Sequence, residues 1–166
     1  MEGIDYFYPM NFSLFLRNLF FTLLQPGIVA GLVPCFLIKK IKIANLDNSL
    51  LQNAVAIALG LAGLILMLDC IRRFATEGKG TLSPADPTKQ LVVTGLYRRT
   101  RNPMYLGVMG ILAGEALFWN NKWLWLYAGI VFLLFHCFII FREEPRLLRD
   151  FGAAYGEYQK NVRRWL

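Results

Sequence analysis

Long apolar runs separated by short polar ones constrain this chain more than any other feature. They cover residues 12–38, 50–69, 104–119 and 123–141. Roughly 20 predominantly apolar residues carry a helix across a bilayer, and these runs approach or exceed that length. Lipid offers no water to unpaired backbone groups, so such segments are confined to helices or closed barrels. Charged residues make up 17% of the chain and hydrophobic ones 56%. A soluble domain carries about 25% charged residues, and here the charges are also collected into blocks. The length of 166 residues suits one domain. The expected fold is therefore all-α: an integral membrane bundle of about four to five transmembrane helices with a cytoplasmic C-terminal helical segment. Residues 12–71 would supply the N-terminal helices and 72–166 the functional core.

Within the first run, Pro26-Gly27 and Pro34 are expected to kink the helix or divide it into an interfacial piece and a span. Gly27 and Gly31 have a GxxxG spacing that permits close helix contact, and Arg17 can extend to the interface. Residues 39–49 form a polar connection, and 50–69 is the clearest span, with Gly60 and Gly63 offering a small packing face. The stretch 77–87, EGKGTLSPADP, reads as loop from its Gly and Pro content. Gly107, Gly110 and Gly114 share a face of the third span. Asn120–Lys122 make a tight turn, which sets the third and fourth spans antiparallel and adjacent. Trp119, Trp123 and Trp125 form an aromatic belt at that end.

The net charge of +7 comes from basic residues that flank the spans. Four spans would place the basic 70–103 segment and the basic tail from Arg142 on one side, and the positive-inside tendency makes that side cytoplasmic. No nucleic-acid motif or basic recognition helix accompanies the charge, so nucleic acid is not an expected partner. Cys35, Cys70 and Cys137 lack CxxC spacing and suit buried or lipid-facing positions rather than a disulfide framework or zinc site. The first residues, MEGIDYFYPMNF, lack the basic start and cleavage site of a secretory signal.

Residues 91–107, LVVTGLYRRTRNPMYLG, are too basic, aromatic and Pro-broken to cross lipid. The end of the fourth span and the tail, FREEPRLLRDFGAAYGEY, supply Glu143, Glu144, Tyr155 and Tyr158. Because the 120–122 turn is short, Asn102–Tyr105 and Arg142–Glu144 should reach the same bilayer face side by side. Arginines, carboxylates and aromatics together suit a zwitterionic ligand with an aromatic ring. Arg pairs with a carboxylate, Glu accepts from hydroxyls or an ammonium, and Tyr faces attract cations. S-adenosyl-L-methionine fits that description; a nucleotide or a phospholipid head group fits it nearly as well. Juxtamembrane arginines also serve as topology determinants and lipid contacts. Glu115 and His136 lie inside spans, where ionisable residues are functional candidates by default. Glu115 is placed away from the basic face, where a hydrogen bond to His136 or backbone would satisfy it. His136 is placed to line a substrate cavity.

The Gly-x-Tyr-x-x-x-Arg-x-Pro-x-Tyr-x-Gly block from Gly95 to Gly107, the following hairpin, and Glu143-Glu144 with Phe151-Gly152-x-x-Tyr155-x-x-Tyr158 carry a resemblance. Over residues 72–166 the chain resembles the isoprenylcysteine carboxyl methyltransferase family, in particular its small bacterial membrane members. The related phospholipid N-methyltransferases share the C-terminal plan. The resemblance implies an integral membrane methyltransferase that takes S-adenosyl-L-methionine from the cytoplasm and a lipophilic or small carboxylate, thiol or amine acceptor. It points to Tyr97, Arg101, Asn102, Pro103, Tyr105, Gly107, Glu143 and Glu144 around the cofactor, with Arg101 and Glu144 catalytic. His136, Tyr155 and Tyr158 are expected to touch the acceptor. Many members have His where this chain has Asn102, and Asn cannot act as a base near neutral pH. No metal is expected, and no GxGxxG marks a soluble nucleotide-binding fold. The competing expectation is a non-enzymatic membrane protein whose basic face binds anionic lipid or a partner. Sterol reductases share a related C-terminal region, but this chain is much shorter.

Overall fold

The computed structural model describes residues 26–40, 48–78 and 90–166. The start of the first apolar run with Arg17, most of the first polar connection, and the Gly/Pro-rich loop from residue 79 onward lie outside them. The described residues are helical throughout, joined by turns and one isolated parallel bridge between Thr100 and Arg163.

The first described helical run does not divide at Pro34, and Pro26 opens it. A π-helical turn over Ile28–Leu32 leads into α1, Val33–Lys40. Pro34 has no N–H for the carbonyl four residues back, and the wider turn places the Val33 N–H on the Ile28 carbonyl instead. The Tyr127 hydroxyl donates to the Val29 carbonyl at 2.8 Å and ties this run to the fourth apolar segment. Gly27 and Gly31 meet no described atom within 4 Å of an added Cβ, so the GxxxG pair is not a close helix contact among the described residues.

Close glycine packing occurs instead between α2, Leu50–Thr76, and α3, Pro103–Phe118. A Cβ on Gly63 would lie 2.5 Å from the Gly107 carbonyl, and one on Gly114 would lie 2.7 Å from the Ala56 carbonyl. The two backbones therefore touch along the small-residue faces read from the sequence. Their far ends are locked by side-chain amides. Ser49 caps α2 through the Gln52 N–H, while Asn48 and Gln52 donate to the Phe118 and Leu117 carbonyls. Those carbonyls lie in the last turn of α3, where the i+4 helical donors run out.

The turn at 119–122 is as short as expected, with Asn120 at φ 43° and Asn121 capping α4, Lys122–Phe138, by accepting from the Trp123 N–H. Val108 and Leu112 of α3 pack with Ala128 and Val131 of α4 in the main apolar core. A π-helical turn, Ile139–Glu143, joins α4 to α5, Glu144–Asn161. Pro145 again removes a helical donor just beyond it. Gly152 breaks α5 at φ 53° and ψ −127°, a backbone conformation natural to glycine, and the rest of the helix changes direction there.

Leu50–Phe74 and the continuous run Lys122–Asn161 are long and apolar enough to cross a membrane, while Pro103–Phe118 is shorter. Their outward faces are apolar: Leu51, Ile65, Leu133 and Leu134 are each more than half exposed. That pattern suits lipid rather than water.

Candidate functional site

The site forms where the 3-10 turn Gly95–Arg98, the start of α3, the π turn and the chain end converge. The Arg101 backbone N–H donates to the Arg163 carbonyl at 2.8 Å. The Thr100 hydroxyl and Asn102 Nδ2 both donate to the Arg164 carbonyl, at 3.1 and 3.0 Å. Thr100 Oγ1 also accepts from the Asn102 N–H. Residues 100–102 thus hold the chain end as a strand holds its neighbour. Asn102, 7% exposed, spends its amide on this joint.

The tail then delivers Arg164 to Glu144. Arg164 Nε donates to Oε1 at 2.7 Å and Nη2 to Oε2 at 3.0 Å, a two-point fork. The carboxylate holds the Arg164 guanidinium even further above its already high ordinary pKa. Arg101 Nη1 also lies 3.0 Å from Glu144 Oε1, but off the line of a hydrogen bond. The side chains of Arg101 and Glu144 are 10% and 13% exposed. Among the described residues, buried Arg101 Nε and Nη1 have no hydrogen-bond acceptor, and neither does Arg146 Nε.

Beside this cluster the Tyr105 hydroxyl donates to Glu143 Oε2 at 2.7 Å, and its ring packs on Phe135 with centroids 4.7 Å apart. The two halves expected to meet do meet: Tyr105 on Glu143, Arg101 on Glu144. Pro103 is buried at the first turn of α3, where its missing N–H costs nothing.

Three expected site residues take other places. The Tyr97 ring is buried with Cys70, Val92 and Phe74 on the α2 side. Burial pushes its phenol well above the usual tyrosine range, and its carbonyl accepts from the Tyr158 hydroxyl at 2.6 Å. Gly107 lies against Gly63 and Met67 in the helix crossing. His136 does not meet Glu115: its Nδ1 accepts from the Trp165 indole N–H at 3.1 Å, with Phe132 beside both rings. Glu115 Oε2 is buried without a described partner. Tyr155 is buried, its ring centroid 6.1 Å from that of Tyr158, so Tyr158 joins α5 to the 3-10 turn.

Sequence reasoning missed Arg146, Arg164 and Trp165. In the sequence they are merely part of a basic tail, and no local pattern separates Arg164 from Arg163. A cavity of about 280 Å³ lies on the other flank of this region, between α2 and α3. Leu59, Leu66 and Leu106 line it, with Arg99 and Thr100 also in its wall. It is an apolar groove rather than the polar cluster itself.

No metal-binding cluster of His, Cys, Asp and Glu occurs among the described residues. No match to the chain was found among curated proteins or among solved structures. The family model for phospholipid methyltransferases matches residues 51–154, which include the glycine crossing, Arg101, Tyr105 and the Glu143-Glu144 pair. With that match over more than half its length, and with apolar helices of membrane-crossing length, the chain belongs to the phospholipid methyltransferase family.

Proposed function

We propose that the protein is an integral membrane methyltransferase that uses S-adenosyl-L-methionine at the Arg101–Tyr105–Glu143–Glu144 cluster. The observation that carries this reading is Arg101, buried beside the Glu144 carboxylate with Nε and Nη1 lacking hydrogen-bond acceptors among the described residues. Leaving buried charged donors unsatisfied is costly, so a site that keeps them suits a ligand with an anionic group. The residues present fit the cofactor's charges. Arg101 would hold the carboxylate. Glu143, oriented by the Tyr105 hydroxyl, would accept from the ammonium or a ribose hydroxyl. When bound, this cofactor supplies an electrophilic methyl group on a sulfonium.

The protein's share of the work is alignment and exclusion of water. Asn102 is engaged with the tail and offers no base. A carboxylate or thiolate acceptor needs none. For an amine acceptor, Glu144 was the expected proton acceptor, but the Arg164 fork engages both its oxygens. Glu143, with one oxygen on Tyr105, is the better placed of the two. Glu144 then serves to anchor the arginines. An isoprenylcysteine carboxylate or a phospholipid amine would approach from the bilayer between helices, and the apolar α2–α3 groove beside Thr100 and Pro103 supports a lipophilic acceptor. The four apolar runs and the basic blocks support about four to five spans with the site facing the cytoplasm.

The test is calorimetric titration of detergent-purified, lipid-supplied protein with S-adenosyl-L-methionine and its demethylated product. Saturable binding is expected, weakened at least about tenfold by Arg101→Gln, which removes the charged donors. Tyr105→Phe, which frees Glu143, should weaken it less. Absence of binding by folded wild-type protein would refute the reading.

A further inference from the structure

We infer that Arg164, which lies beyond the residues matched by the family model, is a positioning residue: it neutralises Glu144 so that Arg101 stays available for the ligand's anionic group. The inference rests on the cofactor reading above. Three observations carry it. First, the placement of Arg164 is built, not incidental. Its carbonyl takes both Thr100 Oγ1 and Asn102 Nδ2, and the preceding carbonyl takes the Arg101 N–H, so the backbone from which the side chain projects is held in place. Second, the Arg164 fork engages both Glu144 oxygens in well-formed bonds. Third, Arg101 touches the same carboxylate only obliquely and keeps Nε and Nη1 unbonded among the described residues.

Two guanidinium groups therefore face one carboxylate, and only one of them is satisfied by it. The tail arginine occupies the forked approach to the carboxylate, and Arg101 is left the oblique one. Without Arg164, Glu144 would be a buried charge with Arg101 as its nearest cation. Arg101 would turn into the vacated fork, and the donors meant for the ligand would be spent inside the protein. The loss would thus appear in ligand binding although Arg164 itself need not touch the ligand.

A set of variants titrated with S-adenosyl-L-methionine should show a distinctive order of affinities. Arg164→Gln should raise the Kd at least about tenfold, as removal of one partner of a partly buried, forked charge pair does. Arg164→Lys should recover part of that loss, because it restores the charge but not the fork. Adding Glu144→Gln to Arg164→Gln removes the carboxylate that captures Arg101. The double variant should therefore bind more tightly than Arg164→Gln alone, a coupling that a double-mutant cycle isolates. Circular dichroism and melting of each variant verify folding, and Arg164→Lys keeps the test meaningful if Arg164→Gln misfolds. Wild-type-like affinity in Arg164→Gln, or a double variant as weak as or weaker than Arg164→Gln, overturns the positioning role and leaves the cofactor reading standing. No binding by the wild type overturns both.

Discussion

Replacing Gly63 by Ala tests whether the α2–α3 crossing is the rigid base of the site. The added Cβ would sit 2.5 Å from the Gly107 carbonyl, 2.8 Å from the Ile111 nitrogen and 3.1 Å from the Gly110 carbonyl carbon. Ordinary contact begins near 3.4 Å, so the nearest approach is short by about 0.9 Å, and every obstructing atom is backbone. No side chain can rotate away; the helices must separate or slide. Overpacking of this kind costs about 1–3 kcal/mol. A Cβ on Gly60, three residues earlier on the same helix, would meet no described atom within 4 Å. Alanine there should be neutral or should stabilise by up to roughly 1 kcal/mol through helix propensity. Reversible unfolding in mixed micelles, followed by circular dichroism, measures both. Gly63→Ala should lose stability and Gly60→Ala should not. Equal stability of the two variants would refute the account of the crossing. The same assay decides the role of Gly107, expected from the sequence to touch the cofactor but found against Gly63 and Met67. Gly107→Ala should destabilise much as Gly63→Ala does, and the two should lower cofactor affinity equally. A selective loss of affinity in Gly107→Ala would return that glycine to the cofactor site.

Gly95 has φ 56°, and a Cβ there would collide with the Arg73 guanidinium, which is held by Asp69, Glu77 and Thr94. Gly95→Ala should cost about 1–3 kcal/mol through backbone strain and displacement of Arg73, read as a lowered melting temperature; an unchanged melting temperature would contradict this geometry. Cys70 is buried while Cys35 and Cys137 are exposed, so a small thiol reagent in detergent should label two cysteines in folded protein and Cys70 only after unfolding. Early labelling of Cys70 would show that the cluster with Val92 and Tyr97 is open.

Helices, and the meeting of residues 101–105 with Glu143-Glu144, were legible in the sequence alone. Apolar runs of membrane-crossing length leave little choice but helix. A three-residue turn at 120–122 then forces α3 and α4 to lie antiparallel, so Tyr105 reaches Glu143 and Arg101 reaches Glu144. The glycine faces of α2 and α3 were legible for the same reason: spacing along a helix fixes which residues share a side. Which glycine-bearing helices actually touch was not legible, and the Gly27–Gly31 pair, with equally good spacing, meets no described atom within 4 Å.

Only the tertiary structure decided which members of the basic, aromatic strip point into the site. Tyr97 turns toward Cys70 and Phe74, His136 pairs with Trp165, and Arg164 rather than Arg163 grips Glu144. The π turn at Ile139–Glu143 shifts the facing of every residue that follows it. The break at Gly152 redirects α5, and the tail docks on residues 100–102 through one backbone bond and the side chains of Thr100 and Asn102. Local pattern reports the period of a helix. The rotation of that helix about its axis, and the place where an irregular tail comes to rest, are set by contacts between residues some 60 positions apart.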